Sequence, residues 1–474
     1  MVRRKSSQFA VLSASEWRLI MHPDRRPFAK NILWAFMGRG GVMIAGFAAT
    51  ALLTRLLSPH DVGTYYLILG IALAASPLAN LSLDEPVIRA VAVARGTGNT
   101  ARAVAFVYSS LKLAVLSSLV TFVLIVVLWG TYQRFGYSGP ARWIVLSTLA
   151  GAWTAIFAME RQLVATLQGM EEISSAALYD LALGRVLSCI VLFILWVFAK
   201  NTTIVEVLAV YISCEAASLA GAAWSARRSV RKLGPTDISV SWREILASSW
   251  PYTVQVVTTA VGNQAGIFVL GATHSVRDVA VYSIAARLSN LLNTPGTIVN
   301  VPLAPMIAKL HSQNERTELQ EILQAAATIP TVISVVATVW WAFDGQRLLG
   351  IIFGAPYSLG ASALLILSVS QCANLYFGPS LLTLSMSGEQ SLAMKLGLVG
   401  MLAQITAVLS LTRYWGINGV ALGILISTVL AKVGGWYAIR SKFGIKSQAS
   451  IRSMSNVSRQ VFVHMKSTHP ESTK

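Results

Sequence analysis

The chain has 474 residues, of which 54% are hydrophobic and only 12% charged, against roughly a quarter charged in ordinary soluble domains. Its 20 acidic and 38 basic side chains are too few to coat the roughly three soluble domains that such a length would form. With a mean hydropathy of +0.61, this excludes a soluble globular protein and predicts an all-α polytopic membrane protein.

Residues 1–31 are polar and basic, without a short apolar stretch ending in a cleavage site, so no removable signal peptide is expected. They are expected to be a cytoplasmic basic segment, with 8–21 suited to a short amphipathic helix on the membrane surface. Windows of about 20 apolar residues then predict twelve spans, near 32–57, 62–84, 104–129, 143–166, 174–198, 203–226, 247–271, 279–303, 322–342, 360–386, 392–412 and 416–439. Asp180 and Arg185 interrupt the fifth. Residues 343–359 are expected to hold a short re-entrant or interfacial piece around Ile351-Ile-Phe-Gly-Ala-Pro-Tyr357. The implied domains are two six-span halves, 32–226 and 247–440, joined by a basic linker, 227–246. A basic, serine-rich tail, 441–474, is expected to be cytoplasmic and disordered, mobile from 445 onward.

One set of loops and tails carries 25 Lys and Arg, the opposite set 6, and seven more lie within spans. This bias places both termini and 227–246 in the cytoplasm. The net charge of +18 is thus mostly a topology signal, aided by anionic lipid, and no nucleic-acid partner is expected. Cys189, Cys214 and Cys372 lie in apolar stretches without ligand spacing. The six histidines also lack it, and there is no phosphate loop or Ser/His/Asp arrangement. No metal, cofactor or catalytic residue is expected.

An internal repeat is visible. Ser58-Pro-His-Asp61-Val-Gly63-Thr-Tyr65 matches Ser275-Val-Arg-Asp278-Val-Ala280-Val-Tyr282 at the same place in each half. Each half has an even number of spans, so the repeat is parallel, about an axis along the membrane normal.

The stretch Arg55-Leu-Leu57-Ser-Pro59, continuing through Gly63 and Tyr65, resembles the opening of the polysaccharide flippases of the MATE-like MOP superfamily. So do Tyr282-Ser-Ile-Ala285-Ala-Arg287-Leu288, Pro302 and Pro305, Phe353-Gly354-Ala-Pro-Tyr357 and Gly416-Ile-Asn-Gly419-Val-Ala421. The resemblance spans residues 31–440. It implies two six-helix bundles around a cavity lined by spans 1, 2, 7 and 8, in the inner membrane of a bacterium. It further implies alternating-access flipping of an undecaprenyl-pyrophosphate-linked oligosaccharide for O-antigen, capsule or exopolysaccharide assembly. A polysaccharide polymerase and a chain-length regulator are partners it implies, besides the lipid-linked oligosaccharide and membrane lipid. Two other functions stay open. A MATE-type multidrug or organic-cation exporter would favour acidic and aromatic cavity groups. A membrane polymerase or ligase would need a large extracytoplasmic loop, and the longest such connections are only 130–142 and 343–359.

A charge near a helix centre costs about 2.5–3.5 kcal/mol on insertion scales, so each needs a reason. Arg39 lies roughly 12 Å into the first span at the usual helical rise, among glycines. It either binds substrate phosphate or snorkels to the cytoplasmic face. Arg287, eight residues into its span and followed by Asn290, Asn293, Thr294 and the bend-prone Pro295-Gly296, either faces the cavity or pairs with an acidic neighbour. Arg55 contacts phosphate or caps the outer end of its helix. Arg89 receives the head group at the inner entrance or is an ordinary basic loop residue. Gln264, with Gln255 and Asn263, bonds sugar hydroxyls or glues helices. Asn80, Gln371 and Asn374 share that ambiguity. Arg185 and Glu215 form either a helix-fixing ion pair or, through Glu215, a protonatable coupling site. Asp180 admits the same two roles. Lys432 is expected near the inner boundary.

Overall fold

The structure, a computed structural model, describes residues 43–134, 140–180, 182–199, 201–234, 238 and 240–450. Arg39, the segment 1–31, the start of the first span and the tail from 451 lie outside the described residues.

No strand occurs among the described residues, and each expected span coincides with helix, the first from Met43. The N-terminal half comprises α1 (Met43–Leu56), α2 (Pro59–Ala79), α3 (Asp84–Gly96), α4 (Thr100–Arg134), α5 (Pro140–Gly169), α6 (Ile173–Tyr179), α7 (Ala182–Phe198) and α8 (Ile204–Arg231). The C-terminal half comprises α9 (Trp242–Thr273), α10 (Val276–Asn290), α11 (Thr294–Ser312), α12 (Arg316–Phe353), α13 (Ala361–Tyr376), α14 (Ser380–Met386) and α15 (Gln390–Phe443). Eight helical stretches among the described residues are long and apolar enough to cross a membrane. Large apolar side chains cover the outside, as along α4 at Leu116, Leu119, Val123, Val127 and Leu128. In water such a stripe would be an aggregation surface; in a bilayer it is the face lipid solvates.

The spans break where their sequences demand it. The second was expected to run through residue 84, but α2 stops at Ala79, where Leu81 and Ser82 adopt positive φ. Ser117 and Ser118 of α4 donate to the carbonyls of Leu78 and Ala79 at this end, and Thr253 of α9 donates to Leu81 O at 2.6 Å. The chain resumes as α3, with Asp84 and Glu85 in its first turn, where acids favour the helix dipole. A 3₁₀ turn at Leu291–Asn293 precedes Pro295 and divides the eighth span into α10 and α11. Residues 343–359 contain no re-entrant piece: α12 runs unbroken to Phe353, and a 3₁₀ segment Ala355–Gly360 leads into α13. The last two spans, together α15, are two helices joined by a sharp turn at Gly416 (φ 51°), where the backbone is not helical. A Cβ on Gly419 would stand 2.2 Å from the Leu411 carbonyl oxygen, so glycine lets the two arms touch backbone to backbone.

The repeat is structural. Ser58 caps α2 and Ser275 caps α10, each hydroxyl accepting from the amide three residues on, Asp61 or Asp278, at 3.2 Å, and donating to that aspartate's carboxylate. The two capped ends cross, because Gly63 of α2 packs on the backbone of Val276; a Cβ there would stand 1.9 Å from Val276 O.

The halves share one core on the side away from the basic loops, including Leu53, Tyr65, Tyr211, Val279, Tyr282, Phe353, Tyr357 and Val420. Toward the basic side the cores part. One gathers Leu83, Val87, Val104 and Ile245, and another Leu303, Ile307, Leu323 and Ile439. The halves are thus clasped at the far side, while toward the basic side the first part of α9 still reaches the N-terminal half through Ile245, the Arg102–Glu244 pair and the Thr253–Leu81 bond, and the rest of the C-terminal half has a core of its own. The expected mobility of the tail does not extend to its beginning. Ile445 and Ser447 are buried, Ala449 N donates to Tyr376 O at 2.8 Å, and Ser450 N donates to Thr328 Oγ1 at 3.0 Å. Residues 445–450 close over the gap between α13 and α14, whose backbone groups are open to them.

Candidate functional site

Where the clasp ends, half-buried Arg287 projects from the last turn of α10 toward the N-terminal half. Its Nη2 donates to the carbonyl of Gly46 in α1 at 3.1 Å. Gly46 is placed for this, since a Cβ there would stand 2.8 Å from that nitrogen. Counting 11 residues from Val276, or 10 from the end of α1, puts the contact about 16 Å from the far side at 1.5 Å per residue. Arg287 therefore sits near mid-membrane.

Facing it from the N-terminal half is an aromatic cluster. Tyr65 packs at 5.2 Å from Tyr66, 5.7 Å from Trp153 and 5.2 Å from Tyr211, and Trp153 stacks on Tyr211 at 5.6 Å. Tyr65, Tyr66 and Tyr211 and the guanidinium of Arg185 in α7 all lie within electrostatic range of Arg287. The Tyr66 hydroxyl lies within hydrogen-bonding reach of the Arg287 guanidinium. Two cations and several phenols, in a place walled by both halves, suit an anion that also presents hydroxyls.

Asn290, one turn beyond Arg287, accepts from Gln371 Nε2 at 3.0 Å, and Asn293 accepts from Asn374 Nδ2 at 3.1 Å. These amides join α10 and the following turn to α13. Asn290 is nonetheless exposed and keeps its amide N–H groups. Gln264 of α9 is half-buried and lies over Gly70 of α2. Gln255 and Asn263 are exposed on the same helix. Arg55 is away from this group: it donates to Ile351 O at 2.9 Å, where Phe47 and Phe353 meet edge to face at 5.5 Å. It ties α1 to the end of α12 across the clasp.

Arg89 is also apart, on the basic side. It lines a cavity of about 480 Å³ with Glu85, Pro86, Val93, Arg102, Glu244 and Tyr252, among others. The Arg102–Glu244 pair, 2.9 Å apart, crosses from α4 to α9 at its rim. Asn80 donates to Asp84, which also receives Arg161 Nη2 at 2.6 Å, so these three fix the α2–α3 break. Lys432 lies at the gap between α13 and α14, its Nζ donating to Gly378 O at 3.4 Å.

Arg185 and Glu215 do not meet as an ion pair. The Glu215 carboxyl turns to Glu160 of α5, within hydrogen-bonding reach, while Arg185 acts on it from farther off. The reason is Gly184. A Cβ there would stand 2.4 Å from Glu215 Oε2, so the missing side chain opens the room that the carboxyl takes. Asp180 is exposed at the end of α6 and acts on Glu160 only through space. Glu160, Tyr66, Trp153 and Tyr211 were not singled out from the sequence. For Glu160 there was a signal, an acid beside Arg161 inside an apolar span; aromatic residues in such spans are too common to be one.

The sequence profile of a family described as "Polysaccharide biosynthesis protein" matches residues 28–311. No curated protein sequence matches. Among solved structures, the chain is similar to one described as an inward-facing conformation of a multidrug resistance MATE family transporter of the MOP superfamily. The TM-score is 0.71 at 16% identity, over 85% of this chain and 94% of that one. A MATE in complex with MaL6 gives 0.63 at 16% identity, over 88% and 95%. A MOP superfamily transporter from Pyrococcus furiosus Vc1, described as having a binding pocket of reverse polarity that suggests a different function, gives 0.61 at 15% identity, over 88% and 95%. At such identities the likeness establishes the fold. The chain belongs to the polysaccharide biosynthesis protein family and has the fold of the MOP superfamily structures, with helices long and apolar enough to cross a membrane many times.

Proposed function

We propose that this protein flips a lipid-pyrophosphate-linked oligosaccharide across the bacterial inner membrane, with the basic loops and both termini in the cytoplasm. The observation that carries this is Arg287, a guanidinium held near mid-membrane between the halves, with Arg185 behind it and tyrosine hydroxyls around it. A phosphorylated sugar cannot enter hydrocarbon without losing the hydration of its charges and hydroxyls. A fixed guanidinium supplies paired donors to phosphate oxygens, and phenols supply donors to sugar hydroxyls. The lipid tail stays in the bilayer, along the gap where the halves part.

The packing is what supports alternating access on this reading. The clasp at the far side, made by Arg55–Ile351, Phe47–Phe353 and Gly63–Val276, opens when the substrate is released outward. On this reading Arg89 and its cavity meet the head group first, at the cytoplasmic entrance. Arg39, outside the described residues, is on the same reading a second phosphate ligand, as its place in the sequence of the first span suggests. The delivered unit then passes to a polymerase under a chain-length regulator. An organic-cation cargo is disfavoured, because Arg287 and Arg185 would repel it.

The test measures outer-leaflet appearance of the lipid-linked glycan together with membrane abundance of the protein. Arg287→Ala is expected to lower the former strongly and spare the latter. Normal flipping by an Arg39→Ala/Arg287→Ala double variant would refute the assignment of both.

A further inference from the structure

Glu160 of α5 and Glu215 of α8 are buried deep in the N-terminal half, only 1% and 3% exposed. Their carboxyls lie within hydrogen-bonding reach of each other. Ser218 Oγ donates to Glu160 Oε1 at 2.6 Å. Of the other three oxygens, Glu160 Oε2 and Glu215 Oε2 are buried and without a hydrogen-bond donor. Two carboxylates are acceptors only, so neither can satisfy the other while both are ionised. A single proton between them turns one into a donor and removes both deficiencies at once.

We propose that Glu160 and Glu215 form a carboxyl–carboxylate pair that holds one exchangeable proton inside the N-terminal half, with Arg185 as its counter-charge. Two ionised groups this close and this dry would repel each other strongly, and such pairs titrate as a unit. The other groups acting on the pair are Asp180 at the end of α6 and, on α8, Cys214 and Ser218. Arg161, next to Glu160 in the chain, turns away to Asp84. The site is built: Gly184 leaves on α7 the space that the Glu215 carboxyl fills. A sodium ion is the rival occupant. Arg185, already acting on Glu215, opposes a second fixed cation, whereas one shared proton leaves a single negative charge for it to balance.

The occupancy of the pair reaches the chamber through Arg185, which also acts on Arg287, Tyr65 and Tyr211. With the proton bound, Arg185 faces one negative charge; when the proton leaves to water it faces two. It is then drawn from the chamber, which offers less positive potential to an anion at Arg287. This last link rests on the flippase reading, but the proton pair does not.

Infrared difference spectroscopy of the purified full-length protein, without substrate, tests the pair. At neutral pH the wild type is expected to show a buried protonated carboxyl band that shifts in deuterium oxide. Glu160→Gln and Glu215→Gln should each remove it while retaining helical circular dichroism. Should either glutamine variant fail to accumulate, Glu160→Asp and Glu215→Asp must each move the band in frequency. A wild type lacking the band, or a band unaltered in these variants, overturns the proposal. So does a band that appears only when sodium is withdrawn, since that makes sodium the resident ion. Substrate plays no part in this readout, so its failure is distinguishable from failure of the flippase reading.

Discussion

Arg287 of α10 donates to the carbonyl oxygen of Gly46 in α1, 3.1 Å away and across the boundary between the two halves. The Gly46 carbonyl, at a helix position that already accepts from the amide four residues on, also accepts from the Thr50 hydroxyl at 2.8 Å, so the guanidinium shares an occupied acceptor. Most of Arg287's five N–H donors therefore remain available.

This availability predicts how substitutions behave. Arg287→Ala should lower flipping about ten- to a hundredfold, the equivalent of the 1.5–3 kcal/mol typical of hydrogen bonds to charged groups. Arg287→Lys should restore part of it, keeping charge but losing the planar fork. Transport per molecule of membrane-inserted protein is the quantity to compare. A parallel fall in abundance would make Arg287 a helix anchor instead.

Gly63→Ala should behave differently, as a folding defect. Its Cβ would stand 1.9 Å from the Val276 carbonyl, backbone that no rotamer change can move. Forcing α2 and α10 apart should cost about 3 kcal/mol or more, the upper range for overpacking. Thermal unfolding in detergent should show a lowered midpoint. An unchanged midpoint would mean that the two helix ends do not cross as described.

The Asp84–Arg161 contact, 2.6 Å at its shortest, pins the α2–α3 break to α5. Both partners are partly exposed, so the pair should be worth about 1 kcal/mol or less. A double-mutant cycle with Asp84→Asn and Arg161→Ala should give a coupling of that size. Additive effects would show the pair to be energetically silent.

The far-side clasp must open if the protein alternates. Cysteines replacing Phe47 and Phe353, whose rings lie 5.5 Å apart, should be joined by a short bifunctional thiol reagent in a background lacking Cys189, Cys214 and Cys372. Joining them should stop transport. Full transport with the link in place would exclude opening at this contact.

Chain ends at two points should separate the contribution of the packed strap from that of the remaining tail. Ending the protein after Ser450 keeps Ile445, Ser447 and the Thr328–Ser450 bond and should preserve thermal stability. Ending it after Phe443 uncovers the gap between α13 and α14 and should lower the unfolding midpoint by several degrees. Equal stability of the two forms would show the strap to be dispensable.

The residues by themselves determined the class, the spans and the repeat, because hydropathy over a bilayer thickness and helix capping are local properties. The match of Ser58–Tyr65 with Ser275–Tyr282 was legible for that reason, as was the interruption near Pro295. Sequence also picked out Arg287, since a charge inside an apolar span is costly wherever it points. Only tertiary structure decided what such charges meet. Arg55 reaches α12, nearly 300 positions along the chain, and Glu215 turns from Arg185 to Glu160 because Gly184 leaves room. No local pattern encodes those distances. The same holds for residues 445–450, polar and tail-like in composition, which are ordered by the Tyr376 and Phe377 carbonyls left open where the tenth span breaks and by Thr328 of α12.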